Sequence, residues 1–210
     1  WKPVLGNHEY RGNTQAVLDY AGVSRRWMMP ARYYTEVYED DGTRIRVVYV
    51  DTTPLIERYR HNPAKYHDAG EQDIDAQLSW LDATLTAATE EWIIVVGHHP
   101  IYAYTDKAES ERTDMQQRLG SVIRRHDNVD VYACGHVHNF QHIRRGNDGI
   151  DYVVNSAGSL AREVGSTEGT VFCSGEPGFS VITADQTKLV WNMVDKTGTV
   201  IYSFTRLAGK

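Results

Sequence analysis

Five of the nine histidines in this 210-residue chain fall in three short strings: Gly6-Asn7-His8-Glu9, Gly97-His98-His99-Pro100 and Gly135-His136-Val137-His138. Imidazole nitrogens and a carboxamide oxygen suit borderline metals such as zinc and iron. Two histidines at i and i+2, as in the third string, can both reach one site from a loop. In each string the glycine permits a sharp turn or a close backbone approach, which aims the next side chain past the end of the preceding element. Each string also has a structural reading on its own. Asn7 is then a turn residue tolerant of left-handed geometry, His98 and His99 a satisfied strand-end pair, and His136 and His138 loop residues. The repetition of one pattern three times is what points to a common site.

Each string follows an apolar run that reads as a buried strand: Val4-Leu5, residues 92–96 and residues 129–133. In open α/β sheets, ligands bind beyond the carboxyl ends of the strands, so three such ends can converge on one crevice. Periodicity further predicts a helix over 14–20, a strand over 44–51 and an amphipathic helix over 73–88 carrying Leu78, Leu81, Leu85 and Ala88. A second long helix is expected over 113–126, with Met115, Leu119, Val122 and Ile123 on one face. From Ile150 onward the pattern changes to short alternating strands, 151–155, 178–184, 188–195 and 200–207. The last two are joined by the turn signal Lys196-Thr197-Gly198. Strand–helix–strand units followed by a meander indicate an α/β fold with mixed sheets. No repeat or linker divides residues 1–210, which read as a single domain.

Composition bounds the function. With 41% hydrophobic and 24% charged residues the chain is neither disordered nor fibrous. Its longest apolar run is about five residues, far short of the 18 or so that span a bilayer. Twenty-two basic against 28 acidic residues leave a net charge of −6, which argues against a nucleic-acid partner. A phosphorylated ligand would need concentrated local positive charge, such as a metal supplies. Cys134 and Cys173 are too few for a disulfide framework or a thiol zinc site, so any metal must use other ligands. The remaining His61, His67, His126 and His142 lie among polar residues and read as solvated.

In this order, G-N-H-E, G-H-H-P and G-H-x-H resemble three of the five sequence blocks of the calcineurin-like metallophosphoesterases. The flanking strings SRRWMMPARYY (24–34), VVYVDTT (47–53), QLSWLDATL (77–85), VVGHHPIY (95–102), YACGHVHNFQH (132–142) and VVNSAG (153–158) are similar to tartrate-resistant purple acid phosphatases. The resemblance implies the C-terminal part of a four-layer α/β/β/α sandwich with mixed sheets. It also implies a dinuclear metal centre, iron with iron, zinc or manganese. Asn7, His98 and His136 match ligands of the divalent ion, and His138 matches a ligand of the trivalent iron. His8 matches the histidine that contacts substrate phosphate and protonates the leaving group, and Asn7 also faces substrate. The implied activity is a metal-dependent acid phosphatase that hydrolyses monoesters of phosphorylated small molecules or proteins through a metal-bound hydroxide. Two alternatives stay open: a phosphodiesterase or nucleotidase of the same superfamily, and a non-catalytic fragment. Export to the periplasm or outside the cell follows from the resemblance alone.

Two departures from the family pattern carry expectations of their own. The D-x-G and G-D-x-x-Y blocks, which bring a bridging Asp and an iron-bound Tyr ahead of G-N-H-[DE], are not in this sequence. A divalent and a trivalent ion about 3.5 Å apart repel by on the order of 30 kcal/mol at an effective dielectric near 20. Neutral ligands cannot offset that, so the domain is expected to be N-terminally incomplete and to hold one metal or none. Val4, Val48 and Val95 are expected to lack neighbours, which favours self-association. Where relatives carry a further substrate-side histidine, the chain reads Tyr104-Thr105-Asp106-Lys107. Lys107 is then either a point charge for phosphate or a solvated loop residue. Tyr102 and Tyr104 line the pocket or serve in the core or rim, and Asp51 and Asn155 stand near the same crevice in a supporting role at most.

Overall fold

Alternation along the central strands decides which layer each side chain enters. In the strand Trp92–Val96, Ile93 and Val95 pack with Leu81, Leu85, Met115 and Leu119 from helices, whereas Trp92 and Ile94 pack with Leu189, Trp191, Met193 and Phe204 from a second sheet. The neighbouring strand Val131–Cys134 does the same, with Tyr132 and Cys134 toward the helices and Val131 and Ala133 toward the second sheet. Both faces are covered, so the strands read as continuous apolar runs.

The computed structural model describes residues 1–155, 158 and 160–209. Its strands are β1 (Tyr34–Asp40), β2 (Thr43–Tyr49), β3 (Trp92–Val96), β4 (Val131–Cys134), β5 (Phe140–Arg144), β6 (Asp151–Asn155), β7 (Thr170–Ser174), β8 (Gly178–Ala184), β9 (Lys188–Asp195) and β10 (Val200–Leu207). The helices are α1 (Thr14–Asp19), α2 (Glu57–Arg60), α3 (Ile74–Ala87), α4 (Glu109–Gln117) and α5 (Leu119–Ile123). A seven-stranded mixed sheet runs in the order β1-β2-β3-β4-β6-β5-β7, with β2, β3, β4 and β6 parallel. The second sheet, β10-β9-β8, is antiparallel. Helices, large sheet and small sheet thus form three layers among the described residues. Ser156 and Ala157 of the VVNSAG string lie outside the described residues.

Expected and observed bounds coincide for β3, β6, β8, β9 and β10, where apolar runs are uninterrupted or alternate cleanly. Several expectations need correction. Val4-Leu5 forms no strand, because its neighbourhood bonds elsewhere: the Trp1 carbonyl accepts from Met28 N and the Pro3 carbonyl from the Tyr34 hydroxyl. The helix expected over 113–126 starts earlier, at Glu109, and breaks at Arg118, whose backbone (φ −97°, ψ −83°) leaves the helical region before α5. Val48 and Val95 do not lack neighbours; both are fully buried, and Val4 is half-buried against the same core.

His142, expected to be solvated, is instead fully buried on β5 between the two sheets. Its Nε2 is 2.7 Å from Asp151 Oδ1 and its Nδ1 is 2.7 Å from the Tyr202 hydroxyl. Arg144 and Arg206 also donate to Asp151, each at 2.5 Å. Burial drives the Asp151 carboxyl up, but bonds from His142, Arg144 and Arg206 outweigh it and hold the group well below the usual carboxylate range. A buried ion cluster therefore ties β5 and β6 of one sheet to β10 of the other. His126 is half-buried and bonds Asp82, while His61 and His67 are solvated as expected.

Candidate metal centre

The ends of β3 and β4 are held side by side by main-chain bonds that continue past the strands. Gly97 N donates to Ala133 O, and Gly135 N donates to His98 O, both at 3.0 Å. The Thr52 hydroxyl, just beyond β2, accepts from the backbone N–H groups of His98 (3.2 Å) and His99 (3.0 Å). Three parallel strands thus set the position of one loop. Gln77 on α3 fixes β2 in turn, since its side-chain amide bonds both N and O of Asp51.

Into this frame the Gly6–Glu9 turn delivers Asn7, closed by a bond from Gly6 N to Glu9 Oε2 at 2.8 Å. A Cβ on Gly6 would lie 2.9 Å from the His98 ring, so only glycine admits this approach. Asn7 Oδ1 stands 3.2 Å from His98 Nε2, and His98 Nε2 stands 3.2 Å from His136 Nδ1. His136 reaches this point from a left-handed backbone (φ 72°), as does His138 (φ 62°). Such conformations in non-glycine residues cluster at functional sites. Asn7 and His136 are buried, whereas His8 is exposed beside them.

Atoms bound about 2.1 Å from one ion lie roughly 3 to 3.4 Å apart in octahedral or tetrahedral geometry. The two 3.2 Å separations fit that requirement, and an O,N,N donor set suits zinc, iron or manganese. Burial, followed by the charges of His136, His8, His138 and Lys107, pulls the His98 imidazole down to about 3, so its ring is neutral and its lone pair available. Burial and Arg162 lower His138, and burial and Arg11 lower His8.

His98, His99 and His136 bring ligand-capable atoms within 4.8 Å of one another, yet His99 plays a different part. Thr52 Oγ1 already accepts two N–H bonds, so its own hydrogen is left for His99 Nδ1, 2.8 Å away. That assigns the ring hydrogen to Nε2, which is buried without a partner. His99 offers a donor rather than a lone pair, and its ring packs 4.3 Å from that of His136. His138 lies outside the Asn7–His98–His136 contacts; its Nδ1 is buried and unpartnered, and its carbonyl accepts from Arg162 N.

Lys107 is half-buried, and its ammonium acts on His8, His98, His99 and His138 together, so positive charge faces the centre. Gln141 holds this loop by bonding both N and O of Tyr104. Tyr104 lines a cleft of about 400 Å³ with Asp106, Val137, Asn139 and Arg162, against the His136–His138 loop. Tyr102 instead packs edge-on against Tyr152 and accepts from Arg124. Asp51 is buried on Tyr10, away from the imidazoles, and Asn155 accepts from Ser180. A cavity of about 590 Å³ opens beside Trp92 and Asp130 at the opposite strand ends, and none of the histidines of the centre lines it. The motifs missed Thr52, which holds the His98–His99 backbone, and Glu111, whose Oε2 stands 3.1 Å from His136 Nε2; both act through hydrogen bonds that leave no spacing signal.

The calcineurin-like phosphoesterase family profile matches residues 1–140. The chain belongs to that family. Among curated relatives, tartrate-resistant acid phosphatase type 5 of Mus musculus is 30% identical over 164 residues, covering 76% of this chain and 49% of the mouse protein. Purple acid phosphatase 17 of Arabidopsis thaliana is 27% identical over 170 residues, covering 77% and 48%. The calcineurin-like chain therefore spans about half the length of the curated relatives it matches. Its fold is also that of GAP50, described as the anchor in the inner membrane complex of Plasmodium (TM-score 0.79, 23% identity, 99% of this chain and 65% of that one). A dimetal phosphatase from Danio rerio is similar at TM-score 0.59 and 16% identity, covering 98% and 71%. The family implies a dinuclear metal centre, and this chain has a histidine cluster that could hold a metal ion.

Proposed function

We propose that this metal-dependent phosphoesterase hydrolyses phosphate monoesters in the manner of a purple acid phosphatase. The observation that carries the reading is the convergence of three side chains, with His98 Nε2 3.2 Å from both Asn7 Oδ1 and His136 Nδ1, beside an exposed His8. Those three side chains would hold a divalent ion, and His138 would contribute to a second site. When bound, the metal centre polarises the phosphoryl oxygens and activates the attacking water.

The chain's own groups supply the rest. Lys107 and Arg162 place positive charge on the phosphate side of an otherwise acidic molecule. His8 donates a proton to the ester oxygen as its bond to phosphorus breaks, leaving an alcohol and inorganic phosphate. The cleft beside Tyr104 would take the leaving group, from a phosphorylated small molecule or protein. Export belongs to the same proposal; among the described residues no helix is long and apolar enough to cross a membrane.

One observation favours a second reading. Among the described residues the histidine cluster includes no carboxylate, and neutral ligands alone do not hold two cations at close range. The chain would then bind one ion without turnover. Iron- and zinc-loaded protein assayed near pH 5 with p-nitrophenyl phosphate and its bis ester decides between them. Preferential cleavage of the monoester supports the phosphatase, cleavage of the diester alone overturns it, and inert protein with one bound ion establishes the second reading.

A further inference from the structure

Glu111 lies behind the metal centre rather than in it. It occupies the first turn of α4 and is buried, and its two oxygens have separate partners. Oε2 stands 3.1 Å from His136 Nε2. Oε1 accepts from the Tyr59 hydroxyl at 3.0 Å and from Arg58 at 2.8 Å.

A neutral imidazole carries one hydrogen, and an ionised carboxylate can only accept. The hydrogen of His136 is therefore held at Nε2, and Nδ1 keeps its lone pair on the side of His98 and Asn7. We propose that Glu111 is the positioning residue of the centre, fixing the tautomer and ring orientation of His136 so that Nδ1 meets the ion. This rests on the metal-binding part of the function above and not on monoester turnover. Tyr59 and Arg58 both bond Oε1, which leaves Oε2 alone to face His136. The rival account is that Glu111 only ties α4 to α2, and the two make different demands on the Tyr59 bond.

The test uses the full chain labelled with ¹⁵N-histidine. Long-range ¹H–¹⁵N correlation spectra read the His136 tautomer with no metal and no turnover, and calorimetry with zinc reads affinity. Wild type is expected to carry the hydrogen on Nε2. E111A is expected to mix the tautomers and weaken zinc binding by about 10- to 100-fold, the usual effect of losing a partner behind a metal-bound histidine. E111Q, whose amide oxygen can accept from Nε2, is expected to recover most of both. Y59F removes the bond at the other oxygen, so it should lower the melting temperature yet leave tautomer and zinc affinity as in wild type.

Hydrogen on Nδ1 in wild type overturns the proposal, as does an E111A chain with unchanged tautomer and affinity. Y59F losing as much zinc affinity as E111A would leave Glu111 a tie between helices. Wild type that carries the expected tautomer yet binds no zinc would remove the metal reading, and with it this proposal. Zinc binding without monoesterase activity would remove only the phosphatase assignment.

Discussion

At the scale of single residues, the centre depends on groups chosen for opposite reasons. Gly6 is needed for what it lacks: a Cβ there would lie 2.9 Å from the His98 ring. G6A should displace that ring and weaken zinc binding about tenfold, read by calorimetry, with little change in secondary structure by circular dichroism. In the proposed reaction His8 supplies a proton. H8A should lower kcat by roughly 10²- to 10⁴-fold toward monoesters while metal content by mass spectrometry stays at the wild-type value. The meeting of Asn7, His98 and His136 was legible in sequence because the capacity to bind metal is written in residue type. Glu111 and Thr52 were not, since each matters only through a bond to a residue 25 to 47 positions away.

At the scale of elements, legibility followed the hydrophobic pattern. Strand β3 is apolar throughout and was read to the residue, whereas β5 is hidden by Gln141 and His142, polar groups buried on bonds to distant partners. Strand β1 is mostly polar and sits at an edge, which gave no apolar signal. The Asp73 side chain caps α3 by accepting from Ala76 N, so D73A should cost about 1 kcal/mol in urea unfolding. Breaking the cluster between the sheets should cost more. D151N leaves His142, Arg144 and Arg206 facing a neutral group and should destabilise by about 3 to 5 kcal/mol. Because the folded Asp151 carboxyl sits below its unfolded value near 4, its contribution is present above that pH and lost as pH falls further. Melting curves of wild type should therefore drop more steeply than those of D151N on acidification below about pH 4.

At the scale of the whole molecule, ligand binding and proton binding both feed into stability. A chain that holds one ion should melt at higher temperature with added zinc, by about 2.7 kcal/mol at a hundredfold excess over Kd, and chelation should reverse the gain. Two tightly held ions per chain would contradict the expectation of one or none. Asp51 works against Asp151: burial raises its carboxyl to about 7, so between pH ~4 and 7 the folded state keeps a proton that the unfolded chain has released. Stability from this group falls as pH rises through that window, and D51N should flatten the slope in thermal melts. The sandwich was legible as a resemblance, but its joints were not, because contacts between layers follow from folding rather than from neighbouring sequence.

The bonds from Gly97 to Ala133 and from Gly135 to His98 extend the parallel ladder beyond its strands. Loops ordinarily exchange their amide hydrogens within seconds, while core strands hold theirs until the domain opens. Deuterium labelling of the metal-free chain should therefore find the amides of Gly97 and Gly135 among the slowest in the protein, clocked with β3 and β4. A cavity set in advance of its ion need not be moulded by it.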